Sequence, residues 1–185
     1  IQIGLRCEQT IAKGEQLTTN TSFTRNYVSF FPSAFINWRA NDNNSFNLSY
    51  SRRIDRPVYQ DLNPFYEYLD PYTYRQGNPM LIPQYSNNFE VSHSYKYLLN
   101  TTIGYSHTDN IITEITNQID STHTTFLVPE NFNKVDYFNL SLSSPIKVTK
   151  WLTSTNTVIF FYNYYQGQIQ GSNLSCGLGS YFINS

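Results

Sequence analysis

The feature that most constrains this chain is a period of two in its hydrophobic pattern. Phe46, Leu48 and Tyr50 alternate with Ser45, Asn47, Ser49 and Ser51. Successive side chains of an extended strand point to opposite faces, so such a segment builds a sheet with one apolar and one polar side. The pattern recurs about eight times. Ile1, Ile3, Leu5 and Cys7 open the series, followed by Val28, Phe30, Ala34, Ile36 and Trp38. After the 46–50 segment come Phe89, Val91 and Tyr95, then Ile103, Tyr105, Ile111 and Ile115. Phe138, Leu140 and Leu142 form a sixth set, Trp151 to Tyr165 a seventh, and Leu174, Cys176, Leu178 and Phe182 an eighth. A 3.6-residue period persists nowhere for about three turns. The sequence predicts an all-β chain.

The spacing of these segments adds a second constraint. Tight polar turns are expected at Asn41–Asn44, around Leu98–Asn100 and around Lys147–Lys150. Long connections are expected at 10–26, 54–86 and 117–134, with a shorter one at 166–172. Short and long therefore alternate, which places the short turns at one end of the sheet and the long loops at the other. Outer-membrane barrels have that asymmetry. An open sheet edge is not viable in lipid, so the strands either close on themselves or continue into others. The ending Phe182-Ile183-Asn184-Ser185 lacks a terminal aromatic, and the reading adopted is an arc of a larger wall.

Composition separates the function classes. Only 14% of residues are charged although the hydrophobic share is just 39%, and mean hydropathy is −0.44. Soluble domains carry about a quarter charged residues. Here uncharged polar residues fill the gap, with 16 Tyr and 13 Phe, as suits a sheet with a lipid face, a wet face and aromatic girdles. A secreted β-sandwich has similar needs. The net charge of −1 lacks the basic footprint of a nucleic-acid binder. Cys7 and Cys176 stand without metal-ligand spacing and are read as small apolar side chains. No stretch approaches the ~18 apolar residues of a spanning helix.

The segment between Ser45 and Tyr95 is less anonymous. It contains Tyr50-Ser51-Arg52-Arg53-Ile54-Asp55-Arg56-Pro57, then Asp61-Leu62-Asn63-Pro64-Phe65, then Gly77-Asn78-Pro79-Met80-Leu81-Ile82-Pro83, leading into Asn88-Phe89-Glu90-Val91. These linked elements resemble the barrel region of TonB-dependent receptors, an outer-membrane β-barrel family of Gram-negative bacteria. The resemblance implies a barrel of about 22 strands with a plugged lumen. It also implies a plug domain and a TonB complex as partners through parts of a protein not in this sequence. The imported ligand would be a small scarce nutrient: an iron chelate, cobalamin or an oligosaccharide.

The 54–86 connection carries the candidate site. Five prolines (Pro57, Pro64, Pro71, Pro79 and Pro83) interrupt it, and its many aromatics predict a compact, self-packed loop. Arg53, Arg56, Pro57, Asn63, Pro64, Phe65, Gly77, Asn78 and Pro79 are read as its structural motif, with Arg53 and Arg56 able to anchor to Asp55, Asp61, Glu67 or Asp70. Tyr59, Tyr66, Tyr68, Tyr72, Tyr74 and Arg75 are the candidate ligand contacts, since tyrosine offers a stacking face and a hydroxyl. The alternative for the same residues is the ordering of a lid.

His93, His107 and His123 fit no catalytic motif. Pairing the fourth and fifth strands about Leu99 puts His93 opposite Tyr105 and His107 opposite Val91, on the apolar face. No catalytic residue, metal site or cofactor is predicted. Residues 1–185 are thus expected to form a partial antiparallel up-and-down transmembrane β-barrel domain, the wall of a nutrient receptor in contact with outer-membrane lipid. Two other readings stay open: a soluble secreted β-sandwich binding carbohydrate through surface aromatics, and a small closed barrel.

Overall fold

The computed structural model describes residues 1–16, 21–96, 98–147, 149, 153–169 and 172–184. Among these, ten strands form one sheet: β1 (Gln2–Gln16), β2 (Thr21–Asn41), β3 (Asn44–Asp55), β4 (Tyr66–Asp70), β5 (Thr73–Gln76), β6 (Gln84–Tyr95), β7 (Leu99–Ile119), β8 (Thr124–Lys147), β9 (Thr153–Ile169) and β10 (Ser172–Asn184). One helical turn, α1 (Tyr59–Leu62), precedes β4. The long strands follow one another as antiparallel neighbours in the order β1-β2-β3-β6-β7-β8-β9-β10. The eight alternating segments are all strands, and the additional pair, β4 and β5, is a hairpin inside the 54–86 connection.

Two of the expected long loops are corrected. Strands β1 and β2 stay in register from Thr10↔Tyr27 up to Gln16↔Thr21, so 10–26 is mostly hairpin, and residues 17–20 lie outside the described ones. Strands β7 and β8 likewise run to Ile119↔Thr124, reducing 117–134 to a four-residue turn. The short 166–172 connection is also mostly strand, with 170–171 outside the described residues. These segments contain Thr, Lys, Glu and Gln, which read as loop by polarity. Strand pairing runs through backbone hydrogen bonds and continues whatever the side chains are, and in 117–134 Phe126, Val128 and Phe132 share one side. The turn at Asn41–Asn44 is found as expected, with the Asn41 side chain accepting from the Asn43 amide at 2.9 Å. The turn expected at Lys147–Lys150 falls largely outside the described residues, as does Trp151.

The turn expected around Leu98–Asn100 sits slightly earlier in the chain. Strand β6 ends at Tyr95, the Leu98 amide donates to the Tyr95 carbonyl, and Lys96 takes a positive φ of 49°. His93 therefore faces Thr101 rather than Tyr105, and His107 faces Asn87 rather than Val91. The register error is four residues, an even number, so the assignment of faces survives.

Registers across the sheet sort the side chains into rows. Ile36, Leu48, Val91, Ile103, Leu140 and Phe160 form one aliphatic-rich row. Beside it run Tyr50, Phe89, Tyr105, Phe138 and Tyr162, whose first four rings sit 4.7, 6.2 and 4.7 Å apart in sequence along the row. On its other side Trp38 stacks on Phe46 at 5.4 Å and Phe46 on His93 at 4.4 Å. Aromatic rows bracketing an aliphatic one are the pattern of a lipid-facing surface. The opposite face carries Asn47, Ser92 and Ser141, and Ser49 with Glu90 and Asn139. There Ser106 donates to Asn88 at 2.7 Å. Gly104 leaves room for the Asn139 amide, which a Cβ would meet at 2.0 Å.

This is a single layer. Among the described residues the buried hydrophobics are Phe31, Leu81, Phe132 and Val135, while Trp38 is 58% exposed and Phe138 48%. A sandwich would bury one complete face of each sheet, and neither face is buried here. Strand β10 departs from the expected faces. Tyr181 pairs with Phe160 and Ile183 with Val158, so Cys176, Leu178 and Phe182 lie on the other side. Toward its end both sides of that strand carry apolar residues, Phe182 on one and Tyr181 and Ile183 on the other, which leaves its alternation ambiguous. Cys7 pairs with Phe30 on the apolar side, so the two free cysteines occupy opposite faces.

Candidate functional site

The 54–86 connection is the one long excursion from the sheet among the described residues, and its two sequence elements hold each other. The Gly77 amide donates to the Asn63 carbonyl at 2.9 Å, and the Asn78 amide donates to the Asp61 carbonyl at 2.6 Å. Gly77 is required there, because a Cβ would meet the Asn63 carbonyl oxygen at 2.4 Å and the Asp61 carbonyl oxygen at 2.7 Å. The Asn63 side chain accepts from the Phe65 amide, and the Asn78 side chain from the Met80 amide. Both asparagines thus form the side-chain turns for which their short amides are suited. Pro64 contributes its carbonyl, which accepts from Gln76 at 3.1 Å.

The connection folds across the polar face. Arg25 of β2 donates to the Pro79 carbonyl at 2.5 Å and also to the Leu81 carbonyl, and Leu81 is fully buried. Arg56 reaches Glu8 at 2.7 Å and Thr10 at 3.2 Å on β1. Tyr85 meets Ser29 at 3.0 Å. Glu8, Thr10, Ser29 and Arg25 share the polar-side parity of β1 and β2. On the far side, Asn131 of β8 exchanges two hydrogen bonds with the Ile82 backbone, each 2.9 Å. Asn78 donates to the Pro129 carbonyl at 3.2 Å. The expected anchors are partly corrected here. Arg56 anchors to β1 rather than within the loop, Asp55 accepts from Gln84, and Asp70 accepts from the Tyr72 amide at 2.7 Å. Arg53 is exposed on β3, and Pro57 leads into the helical turn α1.

The candidate ligand contacts divide. The β4–β5 hairpin aligns Tyr66 with Gln76 and Tyr68 with Tyr74 on one side, and Glu67 with Arg75 on the other. Strand β5 then pairs in parallel with β8, setting Tyr74 beside Phe126. Tyr66 and Tyr74 meet edge-on at 5.0 Å, Tyr68 and Tyr74 at 6.0 Å, and Tyr74 stacks on Phe126 at 5.5 Å. Three of the candidate tyrosines are therefore brought together with Phe126. That residue escaped notice because it falls in a stretch read as loop. Tyr59 and Tyr72 are exposed and take no part in these ring contacts. Arg75 is an internal tie, at 2.9 Å from Asp61 and 2.7 Å from Glu114. Its hydrogen bond to Glu114, above all, raises its pKa further.

His93 and His107 occupy the borders of the apolar rows, and His123 sits in the turn between β7 and β8. His93 stacks on Phe46 and contacts Asn44 at 2.9 Å. His107 lies between Asp136 at 2.7 Å and Asp109 at 3.2 Å, one row beyond the aromatic ladder. Among the described residues no group of three or more His, Cys, Asp or Glu is arranged to hold a metal ion.

Comparison with known proteins agrees with this geometry. The outer membrane protein beta-barrel family matches residues 1–185. Two solved structures with the same fold come from Pseudomonas aeruginosa. One is the siderophore receptor PirA, with a TM-score of 0.63 and 12% identity over 97% of this chain. The other is a mutant of the ferric enterobactin receptor PfeA in complex with enterobactin, with a TM-score of 0.54 and 12% identity over 95% of this chain. The chain spans 38% and 30% of their respective lengths. At this identity the likeness is one of fold. No curated protein matches the sequence.

Proposed function

The chain belongs to the outer membrane protein beta-barrel family, and from that premise we propose that it is part of the wall of a TonB-dependent receptor importing a scarce nutrient. The observation that carries this reading is the 54–86 connection, folded over the polar face and tied to β1, β2 and β8. A porin-like channel needs an open lumen, whereas a receptor needs an ordered surface at its mouth. Among the described residues β1 pairs only with β2, and β10 only with β9. Unpaired backbone groups cost several kcal/mol each in hydrocarbon, so the wall requires further strands at both edges. A plug and the TonB complex would act through other parts of such a receptor.

The nutrient is an iron chelate, cobalamin or an oligosaccharide. Cells lacking the gene should fail to grow when one of these is limiting, and the gene should restore growth only where the TonB complex is intact. Restoration without TonB would contradict energised import and favour passive diffusion. The soluble carbohydrate-binding sandwich is not retained, because among the described residues no second layer covers the apolar face, where Trp38 is 58% and Phe138 48% exposed.

A further inference from the structure

The aromatic plate has a charge environment that its residue types alone do not reveal. Tyr66, Tyr68 and Tyr74 lie on one side of the hairpin and Phe126 of β8 beside Tyr74, with centroid spacings of 5.0 to 6.5 Å. Tyr66 is 58% exposed and Tyr68 71%. Arg75 is the only basic residue between 66 and 76, and by register it belongs to the opposite side, where Asp61 and Glu114 occupy it. The hairpin thus offers ring faces and phenolic hydroxyls without a free cation. The negative face of an aromatic ring repels anions. Acidic ligands would find no counter-charge on it, Glu67 and Asp70 being the other ionisable side chains of the hairpin apart from its tyrosines.

The plate is also held in place. Its β5 strand adds to the β8 edge at Thr73–Arg75, and the Thr125 amide donates to the Tyr72 carbonyl at 2.8 Å. A surface fixed before the ligand arrives avoids much of the ordering cost of binding. A neutral polyol suits it: the C–H faces of its sugar rings cover aromatic rings, and its hydroxyls exchange hydrogen bonds with the tyrosines. We propose that Tyr66, Tyr68, Tyr74 and Phe126 form a binding subsite for a neutral oligosaccharide. This deepens the import reading and rests on it for its purpose, although binding is measurable without transport.

The test uses the full-length protein in detergent micelles on an array of neutral hexose oligosaccharides, uronic-acid and sulfated oligosaccharides, with ferric enterobactin measured alongside. At least one neutral oligosaccharide should be retained. A variant with Tyr66→Ala, Tyr68→Ala and Tyr74→Ala should bind it at least about tenfold more weakly, the equivalent of ~1.4 kcal/mol. The corresponding Tyr→Phe variant, which keeps the rings, should lose less. Circular dichroism of each variant checks that the sheet is intact. Retention of acidic ligands alone, of no neutral saccharide, or of one equally by the alanine variant would overturn the proposal. Uptake in cells with and without TonB separates the two claims. Ring-dependent binding without uptake removes the import reading, and uptake indifferent to the rings removes the subsite.

Discussion

Single side chains in the 54–86 connection do separable jobs. Gly77 lets two backbone stretches approach where any Cβ would collide with carbonyl oxygens. Gly77→Ala should destabilise the connection by about 1–3 kcal/mol, the usual scale of overpacking. Hydrogen exchange should show the Gly77 and Asn78 amides opening faster while the β3–β6 amides do not change. Arg75 joins two carboxylates, and all three groups are partly exposed, so screening keeps each pair to about 1 kcal/mol or less. Arg75→Met should loosen the hairpin by that modest amount and leave the sheet intact. Asp70 is held below the usual carboxylate range, chiefly by the Tyr72 amide and then by Thr73. A depressed folded pKa stabilises above the unfolded value and is lost as pH falls through the folded one. Protection of the hairpin turn should therefore be flat through neutral pH and decline only below about pH 4.

At the scale of elements, the faces decide tolerance. Leu48 and Ser49 are sequence neighbours on opposite sides of β3. Leu48→Arg puts a charge among the aliphatic row and should cost about 2–4 kcal/mol if that row lies near the bilayer midplane. Ser49→Arg, on the side of Glu90, should cost far less. Urea unfolding in lipid vesicles measures both, and equal costs would contradict the assignment of faces. These faces were legible in the sequence because Phe46, Leu48 and Tyr50 alternate with residues of opposite character. Strand β10 was not legible, since Leu178 and Phe182 on one side compete with Tyr181 and Ile183 on the other. Polarity also hid the outer parts of β1 and β2, and the polar residues and Pro129 around Phe126, Val128 and Phe132 hid that of β8, although the backbone pairing continues through both. The loop motifs could be read as turns, but their mutual bonds could not. Nor could the pairing of β5 with β8, a contact between residues about fifty positions apart that no local pattern encodes. It is this contact that brings Phe126 into the aromatic plate.

As the proposed receptor wall, the whole molecule is an arc of a larger barrel with the 54–86 connection at the outer end. Cys7 and Cys176 lie on opposite faces of strands that are seven steps apart in the sheet. At ~4.8 Å per step their separation along the arc is roughly 30 Å, far beyond disulfide reach. Mass spectrometry of unreduced protein should find both thiols free, and a Cys7–Cys176 bond would contradict both the open arc and the assignment of Cys176 to the polar side. The orientation of the strands in the membrane distinguishes a barrel wall most sharply. With Cys7 and Cys176 replaced by serine, single cysteines can be placed at the exposed ends: Met80→Cys in the 54–86 connection and Asp42→Cys in the tight turn. A membrane-impermeant maleimide applied to intact cells should label position 80 and spare position 42 until the outer membrane is opened. Labelling of position 42 alone on intact cells would invert the topology, and equal labelling of both without disruption would remove the membrane wall itself.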